Sequence, residues 1–302
     1  GLLAYTDRSF SLLMAVALFM LSLTSVTDLV LRAMMMSGRP ASELFSVLPT
    51  VLLKTHFGTV WIWRATLLFL LFGFWFLQKK PRSWIGDFSI LLVGFGLCLT
   101  TSLSGHAANL GRLTPTVFSD WTHLIAVSNW VGGLFFLRLH LPRWLDLLEG
   151  ERRTECLAAG IERFSTVAMT SVGALIVAGA YNASGHVHSS ALLIGTDYGR
   201  VLIVKWALLL PMLALGAVNR YVLLPLLWAY TGRIKKDFLT RKVTEWMKPL
   251  FRHRTSLDLE RRFLRLVMIE AILGLGVLAC SAYMTQLSPP HQISTAVKLP
   301  YM

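Results

Sequence analysis

Charge is scarce in this chain of 302 residues: Asp, Glu, Lys and Arg make up 15% of it, against about 25% in soluble domains. With 55% of the residues hydrophobic, there is too little polar surface to cover a water-facing globule. Cysteine is equally sparse. Cys98, Cys156 and Cys280 have no paired spacing, so a disulfide framework is not indicated. No phosphate-binding loop, CxxC or HExxH stretch is present, so a nucleotide-driven pump is not expected and nothing points to an enzyme. A cleavable leader is not evident either, because the first apolar run is too long for one.

Long apolar runs are what the sequence has instead. Seven of them, roughly 10 to 32, 56 to 78, 84 to 104, 117 to 137, 164 to 183, 201 to 222 and 264 to 286, reach the about 20 residues needed to cross a hydrocarbon core as helix. They are too long and too uniformly apolar for the strands of a barrel. The expected fold is all-α: a polytopic membrane helix bundle in lipid, one transmembrane domain over residues 1–302. The sequence begins without methionine, and an eighth helix ahead of Gly1 would fit the same pattern.

A net charge of +13 suits nucleic acid in principle, but the basic residues lie in alternate loops: Lys79, Lys80 and Arg82, then Arg138, Arg143, Arg152 and Arg153, then the segment from Arg233 to Arg265. That pattern is the positive-inside signature, with these three regions in the cytoplasm, and it removes nucleic acid as a partner. The basic insertion at 232–258 also interleaves Phe238, Val243, Trp246, Met247 and Leu250 with Arg241, Lys242 and Lys248. An interfacial helix on anionic lipid is the expected form.

THFGTVWIWR at residues 55–64 and TDYGRVLIVK at 196–205 match as Thr, aromatic, Gly, Val, Ile and a cation. The expected organisation is therefore a parallel repeat: three helices over 10–104, an intervening helix at 117–137, and three more over 164–286. Glycines at Gly94, Gly96, Gly132, Gly133, Gly274 and Gly276 are read as close-packing positions between helices.

On this topology His56, His106, His123, His186, His188 and His291 fall on the external side, and only His140 and His253 on the internal one. Imidazole is the commonest metal ligand, and thioethers favour Cu(I). Met34, Met35 and Met36 end the first span externally and Met284 ends the last, although methionine also simply packs. Asp120 and His123 are three apart and share a helix face, so the carboxylate can orient the ring. Trp130, seven beyond His123, lies on about the same face one repeat deeper. His186 and His188 flank one valine; they form a ligand pair in an extended loop or are simply two solvated histidines.

Arg64 and Lys205 lie about 14 Å below their repeat threonines. Charges at that depth need a partner facing the bundle interior. Glu270 is the expected one, since Asp28 and Asp87 lie nearer span ends. A structural ion pair and a step in an ion path both suit these three residues. Cys98 and Cys280 in the third and seventh spans either pass a soft ion inward or pack.

SGHA from Ser104 to Ala107, DWTHLIAVSNWVGGL from Asp120 to Leu134, TDYGRVLIVKWALLLPMLALGAVNR from Thr196 to Arg220 and ERRFLRLVMIEAILGLGVLACSAYMTQLSPP from Glu260 to Pro290 together resemble the copper-resistance D (CopD) family of bacterial inner-membrane proteins. The resemblance implies copper movement across the inner membrane, usually inward, from a periplasmic CopC-type donor. It favours His106 and His123 for copper handling, framed by Trp130, Gly132 and Gly133, and lends little to His186 and His188. Two other readings use the same histidines: axial ligation of a haem in an electron-transfer protein, and an accessory subunit that delivers copper to a membrane enzyme partner.

Overall fold

The computed structural model of the chain describes residues 2–77, 84–105, 114–184, 195–232 and 255–287. Helix α1 spans Leu2–Ser37 and is followed by a 3-10 turn, Ala41–Glu43, and a short helix α2, Leu44–Lys54. Helices α3 (His56–Leu77), α4 (Trp84–Ser104), α5 (Pro115–Leu145) and α6 (Gly150–Ser184) come next. Helix α7 (Asp197–Val218) passes through a π turn, Asn219–Leu223, into α8 (Leu224–Tyr230), and α9 is Ser256–Met284. Among the described residues there is no strand.

Seven of these stretches are long and apolar enough to cross a membrane, with α7, the π turn and α8 forming one of them. Their outer surfaces carry large apolar side chains such as Phe69, 77% exposed, and Val177, 72% exposed. Such surface suits lipid, where helices associate by van der Waals packing and interhelical hydrogen bonds because lipid tails are as apolar as the side chains. The expected bundle of seven membrane helices is therefore the observed fold.

The helices overrun the expected spans at their polar ends. Arg138 and Arg143 lie in α5 and Arg152 and Arg153 in α6, so the connection between these helices is short. Helical hydrogen bonding does not stop where hydropathy falls, since Arg and Glu are good helix formers. The short α2 was not anticipated; at 11 residues it cannot span. The expected interfacial residues Phe238, Val243, Trp246, Met247 and Leu250 lie outside the described residues.

A threonine opens four of the helices, accepting the amide three residues on: Gly58 N–H to Thr55 Oγ1 at 2.9 Å, Val117 to Thr114 at 3.4 Å, Gly199 to Thr196 at 3.1 Å and Asp258 to Thr255 at 3.2 Å. Each satisfies an amide that the helix itself leaves without a partner. At Thr255 the cap amide in turn donates to the Asp258 carboxylate at 3.2 Å, completing a capping box. Geometry requires glycine at Gly38 and Gly58, among other positions. Gly38, at φ +66°, ends α1 in the left-handed region. Gly58 lets α2 and α3 meet at a sharp corner, where a Cβ would come within 2.2 Å of the Val51 carbonyl oxygen.

The chain divides into two compact units, residues 1–125 and 126–302. In the first, Leu29, Ala33, Val51 and Phe57 form one core between α1, α2 and α3, and Leu18, Leu71 and Val93 a second between α1, α3 and α4. The second unit has a larger core running from Trp130 and Leu134 of α5 through Ile161, Met212, Leu227 and Phe263. The expected close-packing role suits Gly133, Gly274 and Gly276, whose added Cβ would meet Phe164, Val131 and Leu208 at 2.5, 3.2 and 3.0 Å, and Gly96, which would meet Leu67 at 3.1 Å. Gly94 and Gly132 are different. Among the described residues nothing lies within 4 Å of a Cβ built there.

Candidate functional site

In the first unit, polar side chains gather where α1, α3 and α4 meet. Arg64 of α3 donates from Nη1 to Asp28 Oδ2 at 3.0 Å, from Nε to Thr100 Oγ1 at 3.3 Å, and from Nη2 to the Thr100 carbonyl and Ser104 Oγ at 3.2 and 3.0 Å. Asp28 also accepts from Arg32 Nε at 2.9 Å, and the Arg32 guanidinium stands 5.0 Å over the Phe57 ring. One carboxylate thus serves two cations. Trp61 Nε1 donates to the Ser25 carbonyl at 2.9 Å, and the buried hydroxyls of Ser25 and Ser102 have no partner among the described residues.

The partner of Arg64 is therefore Asp28 and not Glu270. The physical reason lies in the length of α1. It runs on to Ser37, so Asp28 lies nine residues before its end, about 14 Å deep at 1.5 Å rise, as Arg64 does below Thr55. A span ending near residue 32 places Asp28 too shallow, and the helix continues five residues further, to Ser37.

Helix α4 closes at Ser104, with Gly105 N–H bonded to the Ser102 carbonyl at 3.2 Å. Helix α5 starts at Pro115, and Trp121 Nε1 donates to the Phe95 carbonyl of α4 at 2.8 Å. This bond ties the first turns of α5 to α4 and fixes their rotation. Asp120 and His123, on either side of it, are both half-buried. His56 is exposed at the first position of α3. In the last turn of α1, Met34 is half-buried, while Met35 and Met36 are 82% and 55% exposed.

Trp130 lies in the buried core of the second unit. Met284, half-buried, is the last residue of α9. His140 is buried, stacked on Phe136 at 4.6 Å between ring centroids, with Nδ1 3.1 Å from the Phe136 carbonyl oxygen. Lys205 of α7 and Cys280 of α9 are both half-buried. Glu270 is buried to 2% exposure, and its Oε1 accepts from Asn219 Nδ2 at 2.5 Å. His106, His186, His188 and His291 lie outside the described residues. Among the described residues no three His, Cys, Asp or Glu side chains come together as a metal cluster.

Three contacts have no sequence signal strong enough to find them: Trp121 to Phe95, Asn219 to Glu270, and the bridge in which Arg153 donates to both Glu260 oxygens at 2.8 Å.

Two family profiles match the chain, one described as copper resistance protein D over residues 158–284 and one as the copper resistance protein D-like N-terminal domain over residues 2–114. The copper transport protein CutJ of Bacillus subtilis is 30% identical over 246 residues, covering 80% of this chain and 38% of that protein. The inner membrane protein YebZ of Escherichia coli is 27% identical over 200 residues, 64% of either chain. Copper resistance protein D of Pseudomonas syringae pv. tomato is 32% identical over 232 residues, 71% of this chain and 69% of that one. The chain thus spans less than two thirds of the length of the first two relatives. No solved structure matches it.

Proposed function

The chain belongs to the copper resistance protein D family, and on that premise we propose that it carries copper ions inward across a bacterial inner membrane from an external histidine site. The observation that carries this reading is the Trp121 to Phe95 bond at 2.8 Å between α5 and α4. Consecutive membrane spans alternate in direction, so on the seven-span reading the end of α4 at Ser104 and the start of α5 at Pro115 fall on the same side. His106 follows Ser104 by two residues, and His123 is in the third turn of α5. A histidine two residues past α4 in the sequence and one within α5 are a suitable pair for a copper ion, and Asp120 is one turn from His123 to orient its ring.

The positive-inside pattern supports a periplasmic position for this end, with Met34 to Met36, His56, His186, His188 and Met284 on the same side. Copper arrives there from a periplasmic donor of the CopC type. The matched threonine caps at Thr55 and Thr196 support the parallel repeat over 10–104 and 164–286. Arg64, Lys205 and Glu270 then belong to the polar interior of the two halves.

Copper uptake by cells or by liposomes containing the purified protein tests the reading. His106→Ala and His123→Ala are each expected to abolish most of it, and unchanged uptake in both would remove the histidine site. Metal analysis of the pure protein adds a second check: copper without haem is expected, whereas a Soret band surviving purification would replace transport with electron transfer.

A further inference from the structure

The hydrogen bond between Glu270 and Asn219 joins α9 to the π turn in the core of the second unit. Both side chains are buried, at 2% and 5% exposure. Asn219 Nδ2 donates to Glu270 Oε1, which leaves two atoms to account for: Glu270 Oε2, and Asn219 Oδ1, a buried acceptor with no partner among the described residues. A carboxylic acid and a carboxamide pair through two hydrogen bonds, amide N–H to one carboxyl oxygen and carboxyl O–H to the amide oxygen. The ionised carboxylate can form only the first. A proton on Oε2 therefore supplies the donor that Asn219 Oδ1 lacks, and Oε2 has room for it beside Gly216, whose added Cβ would still stand 3.7 Å away.

The charged groups around this pair do not neutralise it. The elements packed on this part of α9 are α7, the π turn, α8 and, through Val131 against Gly274, α5. Helix α7 brings Lys205, itself half-buried, and the π turn brings Arg220, 6.0 Å over the Tyr221 ring. Tyr230 of α8 is exposed, His140 of α5 is stacked on Phe136, and Arg138 of α5 is half-buried. On α9 itself Glu260 is held by Arg153 and Arg265 is exposed. Among the described residues no cation lies within ion-pair distance of Glu270. An intramembrane carboxyl with an amide partner and no counter-cation is built for a proton and not for a fixed charge. The π turn adds a second mark, since such turns interrupt helices frequently at functional positions.

We propose that Glu270 is the proton-binding site of the second unit, holding a proton while paired with Asn219 and releasing it as copper moves, so that copper movement is coupled to a proton gradient. The step is the binding and release of one proton at Glu270 Oε2, passed to water, with no change in oxidation state. The coupling rests on the transport reading above; the proton site does not.

Copper uptake into liposomes, with and without an imposed acid-outside gradient, is measured for the wild type, Glu270→Gln and Asn219→Leu. Gln reproduces the neutral acid and its two bonds to Asn219, so this variant is expected to fold and bind copper yet lose the severalfold stimulation by the gradient. Infrared difference spectra over a pH titration are recorded on the same samples. A protonated carboxyl C=O band is expected in the wild type, shifted in Asn219→Leu and absent in Glu270→Gln. A wild-type rate indifferent to the gradient, or equal stimulation in Glu270→Gln, overturns the coupling. If the wild type moves no copper at all, the transport reading fails and the infrared band decides the proton site alone: its loss in Glu270→Gln upholds the site, and its absence from the wild type overturns it.

Discussion

Arg64 is held by four hydrogen bonds that it donates to three residues, and only one of those residues, Asp28, carries a balancing charge. The Arg64 side chain is 12% exposed, so its guanidinium depends on these partners and not on water. Asp28→Asn keeps shape and one acceptor but leaves both Arg64 and Arg32 without an anion. Removing one member of a buried pair costs roughly 3–5 kcal/mol; with Asp28 itself 32% exposed, the lower end is expected. Thr100→Val removes a single neutral acceptor from the same guanidinium and should cost about 1 kcal/mol. Thermal unfolding in detergent compares the two, and equal losses would show that the charge of Asp28 is not what holds α1 to α3.

At the corner between α2 and α3 the backbone itself sets the limit. An added Cβ on Gly58 meets the Val51 and Leu52 carbonyl oxygens at 2.2 and 2.4 Å and Leu52 Cα at 2.5 Å, and none of these atoms can rotate away. Gly58→Ala should therefore cost about 3 kcal/mol or more, the upper range for overpacking. Gly94→Ala, with nothing within 4 Å among the described residues, should be neutral or gain up to about 1 kcal/mol from helix propensity. Unfolding midpoints of the two variants would check this, and a similar loss in both would sink the corner. The contrast also shows what was legible. Apolar runs of membrane length declare themselves, and so the seven spans could be read directly. Gly58 and Gly94 look alike in sequence because a glycine does not announce whether a neighbour is near. The ends of α1 and α5 were equally hidden: polar flanks continue as helix, and misjudging the end of α1 moved Asp28 out of reach of Arg64. In the candidate site, Asp120 and His123 could be assigned to one helix face from spacing alone. The Glu270 to Asn219 bond could not, since 51 residues separate its partners and only packing brings them together.

Across the whole molecule the signal is the distribution of 29 Lys and Arg against 16 Asp and Glu. A membrane protein is oriented by where its short basic loops fall, because translocating Lys and Arg is what insertion avoids. Lys79, Lys80 and Arg82 lie between α3 and α4, and the run from Arg233 lies between α8 and α9. These two connections are separated by an even number of spans, so they share a side. The connection between α6 and α7, with His186 and His188 and no Lys or Arg from residue 185 to 194, belongs to the other. A single cysteine at Ser189→Cys, in a background with Cys98, Cys156 and Cys280 replaced by serine, should therefore react with an impermeant maleimide added to intact spheroplasts. Lys236→Cys in the same background should react only once the membrane is opened. The reverse pattern would turn the molecule over, carry the α4 to α5 end and its histidines to the cytoplasm, and leave an external copper donor with nothing to meet.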